Sequence, residues 1–134
     1  MTFRSMLDTN IVGGLIRGHP EISRRVIAAP MTSLCISAIT LGELQFGLSR
    51  RPEAKRLRAA VGEFLLRVES LPWNDAVASR YGVLRADMEN KGKSLGALDM
   101  LIAAHALAAN ALLISNDAAF KQVGGLKVED WTLA

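Results

Sequence analysis

The chain has 134 residues, 50% of them hydrophobic, and 16 Lys and Arg against 13 Asp and Glu leave a net charge of +3. That length fits one domain, residues 1–134, which buries roughly two-thirds of its unfolded surface and leaves no room for a second. Cys35 is the one cysteine, which excludes an intrachain disulfide, and no signal segment or bilayer-length apolar run is present, so the expectation is a cytosolic protein without a membrane partner.

The mild basic excess fits a polyanionic partner and fits an ordinary soluble surface equally well. In chain order, Phe3 to Leu7 reads as a short strand with Asp8 at its carboxyl end, and Thr9 or Asn10 is placed to cap a helix from Ile11. Gly18-His19-Pro20 breaks that helix, with His19 in the loop, and Glu21 to Ala29 reads as the next. Leu34-Cys35-Ile36 is a second strand with Cys35 in the core. Ser37 is a cap, and the helix from Ile39 to Leu48 carries Glu43 in its second turn. From Arg50 to Arg67 the pattern predicts one amphipathic helix. Its apolar side is Leu57, Val61, Phe64, Leu65 and Val68, and its wet face holds Arg50, Arg51, Lys55, Arg56, Arg58 and Arg67 against only Glu53 and Glu63. That face is either solvated or a surface for phosphates. Glu69-Ser70-Leu71 reads as a strand, and Asn74 caps a helix that runs to Asn90 with Asp75, Asp87 and Glu89 on its wet surface.

The segment from Gly96 to Asp117 organises the rest. Between Ala97 and Ala111 only Asp99, His105 and Asn110 are polar, so the helix is buried nearly all round and its alanines let a sheet approach closely. Asp99 in the first turn is carried toward the interior, where a carboxylate needs a cation or the positive end of the helix dipole. His105 reads as a hydrogen-bonded core histidine. The helix ends near Asn110, Leu112 to Ser115 is a buried strand, and its far end delivers Asn116 and Asp117. A short helix over Ala118 to Val123 and a last strand at Lys127-Val128 follow.

Strands alternating with helices imply a parallel or mostly parallel sheet covered on both faces, and such sheets bind ligands beyond the carboxyl ends of their strands. Asp8 and Asp117 follow strands, Glu43 lies one helical turn beyond a strand, and Asp99 opens a helix, so all four can meet at one edge. Taken singly each has a plain structural reading: a turn residue or N-cap for Asp8, a solvated side chain for Glu43, a favourable first-turn charge for Asp99, an N-cap for Asp117. Together they would repel one another unless they shared protons or held hard cations. With no histidine pair at ligand spacing and one cysteine, the set is all oxygen and suits Mg²⁺ or Mn²⁺, which can activate water against a phosphodiester. No G-x-S-x-G elbow and no G-x-x-x-x-G-K-[ST] phosphate loop is present, and Gly13-Gly14 lies in a helix.

Four stretches resemble the PIN-domain ribonucleases, and among them the VapC-type toxins of bacterial toxin–antitoxin pairs: MLDTNIV at Met6 to Val12, SAITLGELQFGL at Ser37 to Leu48, LDMLIAAHA at Leu98 to Ala106 and LISND at Leu113 to Asp117. The resemblance covers nearly the whole chain. It implies a PIN-like three-layer α/β/α sandwich and puts the metal-binding acids at Asp8, Glu43, Asp99 and Asp117. Ser115 falls on the hydroxyl position before the fourth acid, and Asn10 on the polar neighbour of the first. It further implies Mg²⁺- or Mn²⁺-dependent endonucleolytic cleavage of RNA by metal-activated water, a homodimer, and neutralisation by a cognate VapB-like antitoxin. Arg50, Arg51, Lys55, Arg56 and Arg58 are then candidates for approaching RNA phosphates. Two other readings compete. A receiver-type phosphoacceptor domain needs paired acids after the first strand and an acceptor aspartate after the third; here the first strand ends in a single Asp8, and the stretch after Leu71 reads Pro-Trp-Asn-Asp. A catalytically idle PIN-like binding module would not need all four acids.

Overall fold

The computed structural model describes residues 3–134. Five short strands, β1 Ser5–Leu7, β2 Leu34–Ser37, β3 Glu69–Leu71, β4 Leu112–Ile114 and β5 Val128–Glu129, form one sheet in the order β3-β2-β1-β4-β5, with every pairing parallel. Because successive strand side chains point to opposite faces, each of the three central strands feeds two cores. Met6, Cys35 and Leu113 pack on one side, against Leu84, Met88, Ile102 and Ala103. Leu7, Leu34, Ile36 and Ile114 pack on the other, against Ile11, Ile22, Leu44, Val61 and Phe64. The helices are α1 Thr9–Ile16, α2 Pro20–Ala28, α3 Ala38–Arg50, α4 Lys55–Arg67, α5 Asp75–Asn90 and α6 Ala97–Ala108. α1 to α4 cover one face, α5 and α6 the other, which makes the expected three-layer sandwich.

α6 behaves as its composition requires. Ala103, Ala104 and Ala106 are fully buried, and the missing bulk lets the helix lie close on the sheet. Asn110, in the left-handed region at φ 53, reverses the chain into β4. The Cys35 thiol is buried and pushed by that burial up to about 11, which leaves it an inert core group. Among the described residues no helix is long and apolar enough to cross a membrane.

Five local expectations are corrected. α1 starts at Thr9, and its cap is Asp8 rather than Thr9 or Asn10: the Ile11 N–H donates to Asp8 Oδ1 at 2.9 Å. His19 is a cap instead of a plain loop residue, with Nδ1 accepting from Ile22 N at 3.3 Å and Pro20 in the first turn. The basic stretch is two helices: α3 runs on through Arg50, and Arg51 leaves the helical region at φ −131, ψ 66 before Pro52, where crowding by the proline ring disfavours a helical residue. α4 then restarts at Lys55 without a side-chain cap. Ser115 lies past the end of β4, and the last strand is Val128–Glu129 rather than Lys127-Val128.

Candidate metal and RNA-cleavage site

The sheet order places a switch point between β1 and β4. Crossovers leave β1 toward β2 on one side, and the chain returns to β4 on the other, so the loops after these two strands diverge and open a crevice. The two strand ends stay joined by Asp8 N–H donating to the Ile114 carbonyl at 3.1 Å. Asp8, Thr9, Asn10, Glu43, Gly96, Ala97, Leu98, Asp99 and Ile102 line a cleft of about 370 Å³ there. Three of the four expected acids thus face one space, brought in by the β1 end, by α3 and by the first turn of α6. Asp117 is not among the lining residues, and its charge raises the carboxyls of Asp8 and Asp99.

Asp8 is the buried member, only 4% exposed. Burial raises its carboxyl above the ordinary value. The Ser115 hydroxyl and the Ile11 N–H pull it back, and the charges of Asp99 and Asp117 add to the rise. Asp99 is half-buried, so the expectation that α6 carries it into the interior is corrected: it sits at the cleft wall, and the helix burial begins at Met100. Its carboxyl too is raised, by desolvation first and then by Asp117 and Glu43. Like charges raise one another's carboxyls in this way only when they stand close together.

Glu43 is held by a residue that the sequence marked only as a helix cap. The Thr9 hydroxyl donates to Glu43 Oε1 at 2.9 Å and lies 3.2 Å from the Thr40 hydroxyl. Thr40 is fully buried. The one signal in the sequence was the T-x-x-E spacing of Thr40 and Glu43, which resembles a capping box; it did not point to a neighbour 34 residues away in sequence. Ser115 is buried at the end of β4 and accepts from the Asp117 N–H at 3.0 Å, while Asp117 Oδ1 accepts from Ala119 N at 2.9 Å. The structural readings of Asp8 and Asp117 as caps therefore hold alongside their convergence. Each cap uses Oδ1.

Among the described residues no three His, Cys, Asp or Glu side chains already stand at the spacing of a closed metal cage. The donor set still fits a hard divalent cation. It is all oxygen and strongly negative, it includes two acids whose charge burial disfavours, and a cation is what relieves both burdens.

From this cleft a groove continues past Glu43. Ile16, Leu44, Leu48, Leu57 and Val61 form its apolar floor and Arg17, Arg50 and Arg51 its rim. Arg50, Arg51, Lys55, Arg56 and Arg58 are all exposed, and among the described residues none of the five has an ion-pair partner, whereas Arg67 pairs with Glu63. Arg50 lies over the exposed Phe46 ring at 5.3 Å.

A parallel sheet in this order with acids gathered at its switch point is the architecture of an acid-site nuclease domain, and the family model described as PIN domain matches residues 5–126. The chain belongs to the PIN-domain family, in its VapC branch. It is 34% identical over 128 residues to the tRNA(fMet)-specific endonuclease VapC of Shigella flexneri, covering 95% of this chain and 97% of that protein. It is 36% identical over 129 residues to ribonuclease VapC2 of Rickettsia felis, covering 94% and 96%. The solved structure of VapBC2 from Rickettsia felis bound to a DNA fragment from their promoter aligns with a TM-score of 0.89 at 34% identity, over 96% of this chain and 99% of that one.

Proposed function

We propose that this chain is an endoribonuclease toxin that hydrolyses a phosphodiester in structured RNA and is neutralised by a VapB-like antitoxin. The observation that carries the reading is the meeting of Asp8, Glu43 and Asp99 in one cleft, with Asp117 near enough to raise the carboxyls of Asp8 and Asp99. Asp8, Asp99 and Glu43 would hold Mg²⁺ or Mn²⁺, which when bound acidifies a water and neutralises charge on the phosphodiester. Thr9 keeps Glu43 turned to the cleft. Asp117, with Oδ1 committed to its cap, has Oδ2 free to orient the attacking water or to help hold a second cation. The Asn10 amide, exposed on the cleft wall, is placed to hydrogen-bond a phosphate or ribose. Arg50, Arg51, Lys55, Arg56 and Arg58 supply the positive approach.

The groove past Glu43 fits an amphipathic antitoxin segment: apolar residues on its floor, and a basic side chain reaching the acids. Support comes from the VapC relatives and from the toxin–antitoxin composition of the aligned Rickettsia felis complex. A homodimer fits the same family pattern, and Phe46, Val83 and Leu98 are exposed apolar side chains available to an interface. Light scattering at micromolar concentration should give twice the chain mass, and a monomer would remove the dimer.

The deciding experiment uses purified chain free of any partner, with tRNA(fMet) as the first substrate because the Shigella flexneri relative is specific for it. Cleavage should need Mg²⁺ or Mn²⁺, stop with EDTA, vanish in Asp8→Asn and leave 5′-phosphates. Cleavage that survives both EDTA and Asp8→Asn refutes the metal mechanism, and 2′,3′-cyclic ends would assign the attack to the RNA's own hydroxyl.

A further inference from the structure

Ser37 and His105 form a buried polar pair that the cleft chemistry does not use. Ser37 is 0% exposed and His105 2%, and Ser37 Oγ lies 2.6 Å from His105 Nδ1. The Ile39 N–H donates to the same Oγ at 3.1 Å. The Pro72 backbone also lies against the ring, and the Trp73 ring meets it edge-on at 5.6 Å. The Ser37 hydroxyl can donate to or accept from Nδ1, so either tautomer of the ring keeps the bond. Burial holds the imidazole below its ordinary value and therefore neutral, and no charged side chain acts on it.

The pair joins the two helices that deliver acids from opposite layers. Ser37 ends β2 and caps α3, which carries Glu43 six residues on; His105 lies on α6, six residues after Asp99. Each acid is thus about 9 Å along its helix from the bond. The rest of the α6 packing is apolar. Ala103, Ala104 and Ala106 present a smooth surface, and apolar burial has no directional preference. A buried hydrogen bond has one, and it fails if either helix slides or turns.

We propose that Ser37 and His105 are positioning residues, and that their hydrogen bond is the joint that sets Glu43 against Asp99 across the cleft. Its consequence for cleavage rests on the ribonuclease reading, while its geometry does not. A tilt of about 6° at the joint moves a group about 9 Å away by about 1 Å, an error that costs about a hundredfold in rate when it falls on a reacting group.

The test compares Ser37→Ala and His105→Leu, which remove the bond, with Ser37→Thr, which keeps the hydroxyl. Each purified chain is checked for folding by circular dichroism and crystallised to read the Glu43–Asp99 separation. It is then titrated with Mn²⁺ by calorimetry and assayed on RNA. We expect Ser37→Ala to change the carboxylate separation, to weaken Mn²⁺ binding by about 10–100-fold and to lower kcat by a similar factor with KM little changed. Ser37→Thr should recover all three. If His105→Leu does not fold, the two Ser37 variants decide. A folded Ser37→Ala chain that keeps the wild-type separation and Mn²⁺ affinity overturns the proposal, whatever its melting temperature. If the wild-type chain neither binds Mn²⁺ nor cuts RNA, the ribonuclease reading is what has failed, and the crystallographic separation still judges the joint.

Discussion

Exchanging Asp99 for Asn separates a metal-holding carboxylate from a helix-start charge. Asp99 is half-buried, accepts no side-chain hydrogen bond among the described residues, and has its carboxyl raised by desolvation and by Asp117 and Glu43. Asn keeps the shape and removes the charge. Like charges several ångströms apart near solvent cost on the order of 1 kcal/mol after screening, so in EDTA the variant should be the more stable by about that much. A chain of 134 residues unfolds with an entropy of about 0.28 kcal/mol/K, which makes the gain about 4 °C in Tm. A carboxyl whose pKa is raised by folding contributes stability below its unfolded value that is lost as pH rises through the folded value. The gain should therefore be small near pH 4 and full at pH 7. Metal reverses the order: Mn²⁺ at about a hundredfold over its Kd stabilises the wild type by about 2.7 kcal/mol, about 10 °C, and the variant far less. Four melting curves, each chain with EDTA and with Mn²⁺, read the crossing. An Asp99→Asn chain that melts lower without metal yet keeps the full Mn²⁺ shift and RNase activity would refute the assignment.

Asp8 should show its two roles separately. Asp8→Asn keeps a capping side chain and should melt near the wild type in EDTA while losing the Mn²⁺ shift, whereas Asp8→Ala also loses the cap and falls by about 1 kcal/mol; equal melting of the two would deny the cap any weight. Thr9→Val removes the donor to Glu43 while nearly keeping volume, and a drop of about tenfold in kcat at unchanged fold is expected; an unaltered kcat would make the hydroxyl a filler. Alanine at Arg50, Arg51, Lys55, Arg56 and Arg58 together should weaken RNA binding and flatten the plot of log K against log salt by about 0.7 for each phosphate no longer neutralised, and an unchanged slope would leave that face merely solvated.

Much of the architecture was legible because it is local. Short apolar runs ended by Asp8, Ser37 and Asp117, each followed by helical spacing, announce a parallel sheet wrapped on both faces, since strands of this kind have no wet side. The alanine-rich α6, the caps Ser37 and Asn74 and the core histidine follow from the same short-range rules. The acids were legible as residues placed at strand ends and helix starts, where the carboxyl edge of a parallel sheet must collect them. The division of the basic stretch at Pro52 was also written locally, and the helical spacing on either side masked it.

What only the tertiary structure decided is how strongly each group is buried and which distant partner it meets. Spacing alone made Asp99 the interior acid, yet the packed layers bury Asp8 and leave Asp99 at the wall, because exposure depends on how the layers close over the switch point and not on a helix's own composition. Thr9 meets Glu43, and Ser37 meets His105 across 68 residues, because crossover connections bring together strand ends that are far apart in sequence. A hydrogen bond selects its partner by position and angle within a few tenths of an ångström, and no periodicity in a single chain encodes that. The sequence by itself determined which side chains lie at the carboxyl edge of the sheet, and the fold determined which of them touch.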